Sequence, residues 1–164
     1  MGLGSKGFTL TEMLITCAIL GVIFSLGPSI LTGITRFTKL NTARIETQRN
    51  ARDSLGQINR SLRQGSAASV CVSQESGQPP YSSIQFSTVD GRALKFYQIN
   101  KDLKFVNNGS TTTLAQGLNY IAFSYPRTDD SNIISVSLTF EQDTYQGGVK
   151  ALQMAIEKVR IMNP

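Results

Sequence analysis

The stretch KGFTLTEMLITCAILGVIFSLGPSILTGIT, residues Lys6 to Thr35, decides the fold, because it places one carboxylate, Glu12, at the entrance of an otherwise apolar rod. From Met13 to Thr35 no residue is charged. As a helix rising about 1.5 Å per residue, that run reaches roughly 34 Å, enough to cross a bilayer. A cleaved secretory signal has a shorter apolar core, a small-residue site after it and no acid inside it, so this segment is expected to stay on the mature chain. A carboxylate facing hydrocarbon costs at least a few kcal/mol unless it snorkels, protonates or finds a cation. Glu12 therefore needs a partner or a function.

The rest of the composition narrows the function classes. The chain has 164 residues, 40% hydrophobic and 16% charged, which allows one compact domain plus an anchor. It has no histidine and no tryptophan, so the commonest general base and metal ligand is missing; no catalytic residue, metal ligand, cofactor or small-molecule substrate is expected. Sixteen Lys and Arg against eleven Asp and Glu give +5. Arg44, Arg49, Arg52, Arg60 and Arg63 follow the apolar run with no aromatic residue among them, which suits a solvated or subunit-facing helix surface better than nucleic acid. Gly2, Gly4 and Gly7 match a dinucleotide fingerprint by chance, since no strand precedes them. An internal disulfide is rejected because Cys17 lies in the apolar run and Cys71 far outside it. Cys71, within Ala-Ser-Val-Cys-Val, reads as a small buried hydrophobe.

Gly7-Phe8-Thr9-Leu10-Thr11-Glu12, after Lys6 and before the hydrophobic run, resembles the processing site of type IV pilins and pseudopilins. The resemblance implies that a prepilin peptidase cuts between Gly7 and Phe8, that the new amine of Phe8 is methylated, and that Glu12 takes part in docking other pilins or pseudopilins into a fibre. The physics fits: cleavage creates an α-amine at Phe8, a cation able to pair at membrane depth with Glu12 of its own helix or of a neighbour. The resemblance also implies a single inner-membrane span with the N-terminus cytoplasmic and the C-terminal part periplasmic. Arg36, Lys39, Arg44, Arg49 and Arg52 crowd the far side of the span, so the positive-inside count alone favours the reverse orientation.

Helical spacing continues beyond the span to about Gln64, through Phe37, Leu40, Ala51, Leu55, Ile58 and Leu62, and Gly65 offers a stop. Gly27-Pro28 interrupts the membrane half, where Pro28 removes the donor to the Phe24 carbonyl and predicts a bend or opening. After Gly65 the texture turns to short alternating runs, at 68–72, 83–89, 93–99, 102–107, 118–125, 133–140 and 149–161. The last also fits a helix; the Gly147-Gly148 hairpin approach favours a strand. Asp90-Gly91, Asn100-Lys101 and Asn108-Gly109 mark turns, so an antiparallel meander is expected. Asp129, Asp130 and Asn132 carry calcium-type oxygens but read as a turn, and Asn108-Gly109-Ser110 as a turn before a glycosylation site.

The expected architecture is α+β and pilin-like, a long N-terminal helix packed on an antiparallel sheet: a leader at 1–7, a membrane and assembly helix at 8–35, its amphipathic continuation at 36–64, and a β-sheet head at 65–164. The runs ALKFYQINKDLKFV, TTTLAQGLNYIAFSY, IISVSLTFE and KVRIMN are similar to the J class of minor pseudopilins of type II secretion and to minor pilins of type IV pili. This implies a structural subunit that helps initiate or tip a periplasmic pseudopilus. The alternative is a minor pilin serving pilus assembly, adhesion or DNA uptake.

Overall fold

The computed structural model describes residues 7, 9–144 and 150–163. Phe8 and Gly147-Gly148 lie outside the described residues. One helix, α1, runs Leu10–Arg63, followed by a 3₁₀ turn at Ala67–Ser69 and eight strands: β1 Cys71–Ser73, β2 Ser83–Ser87, β3 Ala93–Ile99, β4 Asp102–Asn107, β5 Ser110–Gln116, β6 Leu118–Ser124, β7 Ile133–Gln142 and β8 Ala151–Arg160. The chain forms two compact units that divide after Lys39.

In the first unit the helical run continues through Gly27-Pro28. The proline still removes one donor, and neighbouring hydroxyls turn inward on the backbone: Ser29 Oγ donates to the Leu26 carbonyl at 2.8 Å and Thr32 Oγ1 to that of Ser29 at 2.9 Å. Such bonds let hydroxyls sit on an apolar helix without unpaired donors.

In the second unit the last part of α1, from Leu40, lays one face on the strands. That face is Ala43, Thr47, Ala51, Ser54, Ile58, Ser61 and Leu62, at three- and four-residue spacing. It shares Ala51, Ile58 and Leu62 with the expected stripe and departs from it at Phe37. Phe37 is 65% exposed, and small or hydroxyl residues take most of the buried positions. Ile58 and Leu62 are fully buried against Phe86, Phe96, Phe123 and Phe140. Each such aliphatic side chain contributes about 1.5–3 kcal/mol by burial.

The helix ends as Gly65 permits. The Gly65 N–H donates to the Leu62 carbonyl at 3.0 Å, and a Cβ at Gly65 would stand 2.8 Å from the Phe86 ring. We expect Gly65→Ala to cost about 1–3 kcal/mol through displacement of that ring, read as a lowered denaturation midpoint with an unchanged slope.

The strands make two antiparallel sheets, β1-β2-β3-β4-β5 and β6-β7-β8, rather than a single meander. The hairpin glycines and asparagines do what their chemistry allows: Gly91 (φ 78°) turns β2 into β3, Asn100 (φ 54°) turns β3 into β4, and Asn108 with Gly109 (φ 48° and 86°) turns β4 into β5. Strand β5 is absent from the sequence reading. Its residues STTTLAQ are exposed over the first four positions and lack apolar alternation, although their β-branched threonines suit a strand. Cys71 is exposed, not buried. The 3₁₀ turn sets the phase of β1 so that Val70 and Val72 pack on the core, and period-two alternation then points Cys71 outward.

The two sheets meet along β6, whose free edge is met by side-chain and loop groups instead of a strand. The amide of Gln98, only 3% exposed, donates from Nε2 to the Asn119 carbonyl at 3.2 Å and accepts at Oε1 from the Ile121 N–H at 3.1 Å. The Leu118 N–H donates to the Lys101 carbonyl at 2.8 Å, and the Phe123 N–H to the Tyr81 carbonyl at 2.9 Å. Gln98 thus occupies the place of a strand residue at the seam.

Candidate functional site: the N-terminal segment

Gly7 is exposed, and among the described residues no atom lies within 4 Å of where its Cβ would be, which leaves it open to an enzyme on that side. Helix α1 then starts with a reciprocal cap. The Thr9 backbone N–H donates to Glu12 Oε2 at 2.9 Å and its hydroxyl to the same oxygen at 3.0 Å; the Glu12 N–H returns a 3.3 Å bond to Thr9 Oγ1. This is the capping box of Thr-x-x-Glu, which satisfies helix-start donors in both directions and places a negative charge at the positive end of the helix dipole. The signal stands in the sequence as Thr9-Leu10-Thr11-Glu12, a Thr-x-x-Glu pattern directly before an apolar run, which the reading of Glu12 as a charge at membrane depth does not use. Before any cleavage, Glu12 therefore already has a partner within its own first turn.

Beyond this cap the helix is long and apolar enough to cross a membrane, and none of its most apolar window is buried within the chain. Leu14, Ile19, Phe24 and Leu31 are between 55% and 75% exposed, all around the helix. A helix apolar on every side, with no protein cover, suits lipid or other helices of the same kind.

The head offers less chemistry. Its groove of about 620 Å³ lies between α1 and the ends of β5 and β7, lined in part by Glu46, Arg49, Asp53, Glu141 and Gln142. The charges there are matched: Gln142 Nε2 donates to Glu46 Oε2 at 2.6 Å, Arg49 pairs with Asp53 at 3.6 Å, and Lys150 with Glu141. The Lys150 ammonium holds the Glu141 carboxyl below the usual range. Among the described residues no group of three or more His, Cys, Asp or Glu is placed to hold a metal. At 129–132 the turn is formed by its own acids, with Asp129 paired to Arg127 at 3.2 Å and Asp130 Oδ1 accepting from the Asn132 N–H at 3.0 Å. On the helix, Arg60 donates to Gln57 and Arg63 to Asn59, bonds along α1 that keep these arginines on its own surface.

Residues 3–27 match the family model of the prokaryotic N-terminal methylation motif. No curated protein matches the chain. The match covers the segment assembled above: Gly7, the Thr9–Glu12 cap, and the apolar helix as far as Gly27. The chain is thus pilin-like, bearing the methylation motif of type IV pilins and pseudopilins at the start of a long helix whose second part packs on antiparallel sheets.

Proposed function

We propose that this chain is a non-enzymatic structural subunit of a pilin-type fibre, made assembly-competent by cutting between Gly7 and Phe8. The observation that carries the reading is the conjunction of an unobstructed Gly7, Glu12 at the mouth of an uncovered apolar helix, and the matched motif around them. Prepilin peptidase removes residues 1–7, and the Phe8 amine is methylated without losing its ability to hold a proton. The cut leaves that amine one residue before the Thr9 cap, close to the carboxylate in sequence. The amine of a neighbouring subunit then competes for Glu12, and an intermolecular pair in a low-dielectric surrounding fixes the axial stagger between helices. Gly27-Pro28 belongs to the packed helix surface in this scheme.

The anchor lies in the bacterial inner membrane with the N-terminus cytoplasmic, the side on which the leader is removed, and the head periplasmic. Its neighbours are other pseudopilins or pilins and membrane lipid. The head runs quoted above favour a minor pseudopilin that helps initiate or tip a type II secretion pseudopilus.

Intact-mass measurement of the protein extracted from host membranes tests this directly. The expected mass is that of residues 8–164 plus one methyl group; a chain that still begins at Met1 refutes the scheme. Gly7→Val places branched carbon where there is now open space and is expected to leave the uncut form as the main species on the same measurement.

A further inference from the structure

We infer that β8 is a docking edge that takes an extended, carboxylate-bearing strand of a second protein. The inference concerns the head alone and stands whether or not the leader is cut.

Of the sheet edges, β1 is three residues long, β5 presents polar threonines, and β6 is closed by the seam at Gln98. That leaves β8, ten residues long and, among the described residues, paired with β7 alone. A long edge strand exposes a row of backbone donors and acceptors, and proteins ordinarily blunt such edges with charge, proline or a covering loop. On β8 the charges, Glu157, Lys158 and Arg160, are gathered toward its C-terminal end, and the rest of the strand is apolar on its outer face. Leu152, Met154 and Ile156 alternate on the outer face at 59%, 59% and 61% exposure.

The most exposed aliphatic side chains of this face stand on the edge strand. Their cross-strand neighbours on β7 are Glu141, Thr139 and Ser137, so the row beside the edge strand is polar. A flat partner laid over the sheet would bury serine and threonine hydroxyls. A strand added beside β8 would instead give each apolar side chain a new cross-strand neighbour and supply the edge backbone with partners.

Charge chooses among strands. Lys158 and Arg160 continue the same outer face and make no ion pair or side-chain hydrogen bond among the described residues. The single acid of β8, Glu157, lies on the opposite face, where the Asn59 amide donates to its Oε1. A second copy of β8 is therefore a poor occupant. In parallel register it sets Lys158 against Lys158, and in antiparallel register it brings no carboxylate to either cation. The complementary strand alternates apolar residues and carries carboxylates opposite Lys158 and Arg160.

The probe is a fluorescein-labelled peptide that alternates threonine with valine and has glutamate at both ends, titrated against the full chain in detergent micelles, with a lysine-ended version alongside. The glutamate peptide is expected to bind about tenfold tighter than the lysine peptide, and Lys158→Glu with Arg160→Glu to reverse that preference. Replacing Leu152, Met154 and Ile156 with threonine, which preserves strand propensity, is expected to weaken binding about tenfold with an unchanged thermal midpoint. Equal binding of both peptides, indifference to the β8 substitutions, or disulfide-linked dimers of Ile156→Cys in place of peptide binding would each overturn the inference.

Discussion

Glu12→Gln is expected to leave the chain cut and methylated but absent from fibres, with incorporation falling at least tenfold in sheared-fibre fractions. The substitution separates the capping role that the structure shows for this side chain from the pairing role proposed for it. Glutamine at the third helical position serves a capping box as glutamate does, so the bonds with Thr9 survive and the helix start is preserved. The charge does not survive. A neutral amide cannot pair with the α-amine of an adjacent subunit, which is left as a cation at membrane depth, a loss worth several kcal/mol in that medium. Thr9→Val supplies the converse. It removes the hydroxyl that both accepts from the Glu12 N–H and donates to the carboxylate, yet retains the charge, so it is expected to lower incorporation far less. If Glu12→Gln incorporates normally while Thr9→Val does not, the acid matters as a cap and the pairing scheme fails.

That overlap also shows where sequence reasoning reached and where it stopped. Local chemistry was legible. Asp90-Gly91, Asn100 and Asn108-Gly109 were read as turns because only residues tolerant of positive φ serve there, and each sits at its hairpin. The end of α1 at Arg63 agrees with the stop expected at Gly65, and β8 falls within 149–161, where the pattern fits helix or strand and the Gly147-Gly148 approach favours the strand. Failures came where a decision depends on contacts distant in sequence. Strand β5 exists because Asn107 and Ser110 pair across a turn and draw the threonines along β4, a tertiary effect that outweighs their lack of apolar pattern. The inner face of α1 was misread at Phe37 because nothing local reveals that Ala43, Thr47 and Ser54 are the residues pressed against strands. The functional segment was the most legible part, since Gly7, the cap and the apolar run are contiguous and need no fold to bring them together. The division into two sheets was the least legible, for the edge of β6 is met by groups distant in sequence, among them a glutamine amide 23 residues away.

Gln98→Met should expose that dependence, lowering the stability of the head by about 3 kcal/mol. Methionine matches glutamine in length and adapts to irregular packing, so little of the effect can come from an altered core. The amide is lost, and with it the acceptor for the Ile121 N–H, on a residue that is fully buried. An amide N–H stranded there costs about 1–3 kcal/mol. The Asn119 carbonyl loses its donor as well, though Asn119 is exposed and water can replace it at smaller cost. The Asn100 carbonyl, held by Gln98 Nε2 at 2.9 Å, adds a third loss at the β3–β4 turn. For a head of this size the sum corresponds to a midpoint lowered by roughly 10 °C, followed by tyrosine fluorescence since the chain has no tryptophan. A change under about 3 °C would mean that apolar packing between Phe96, Ile121 and Phe123 holds the sheets together unaided. The edge of β6 would then be closed by the Lys101 and Tyr81 carbonyls alone, and the strand-like role of Gln98 would be refuted.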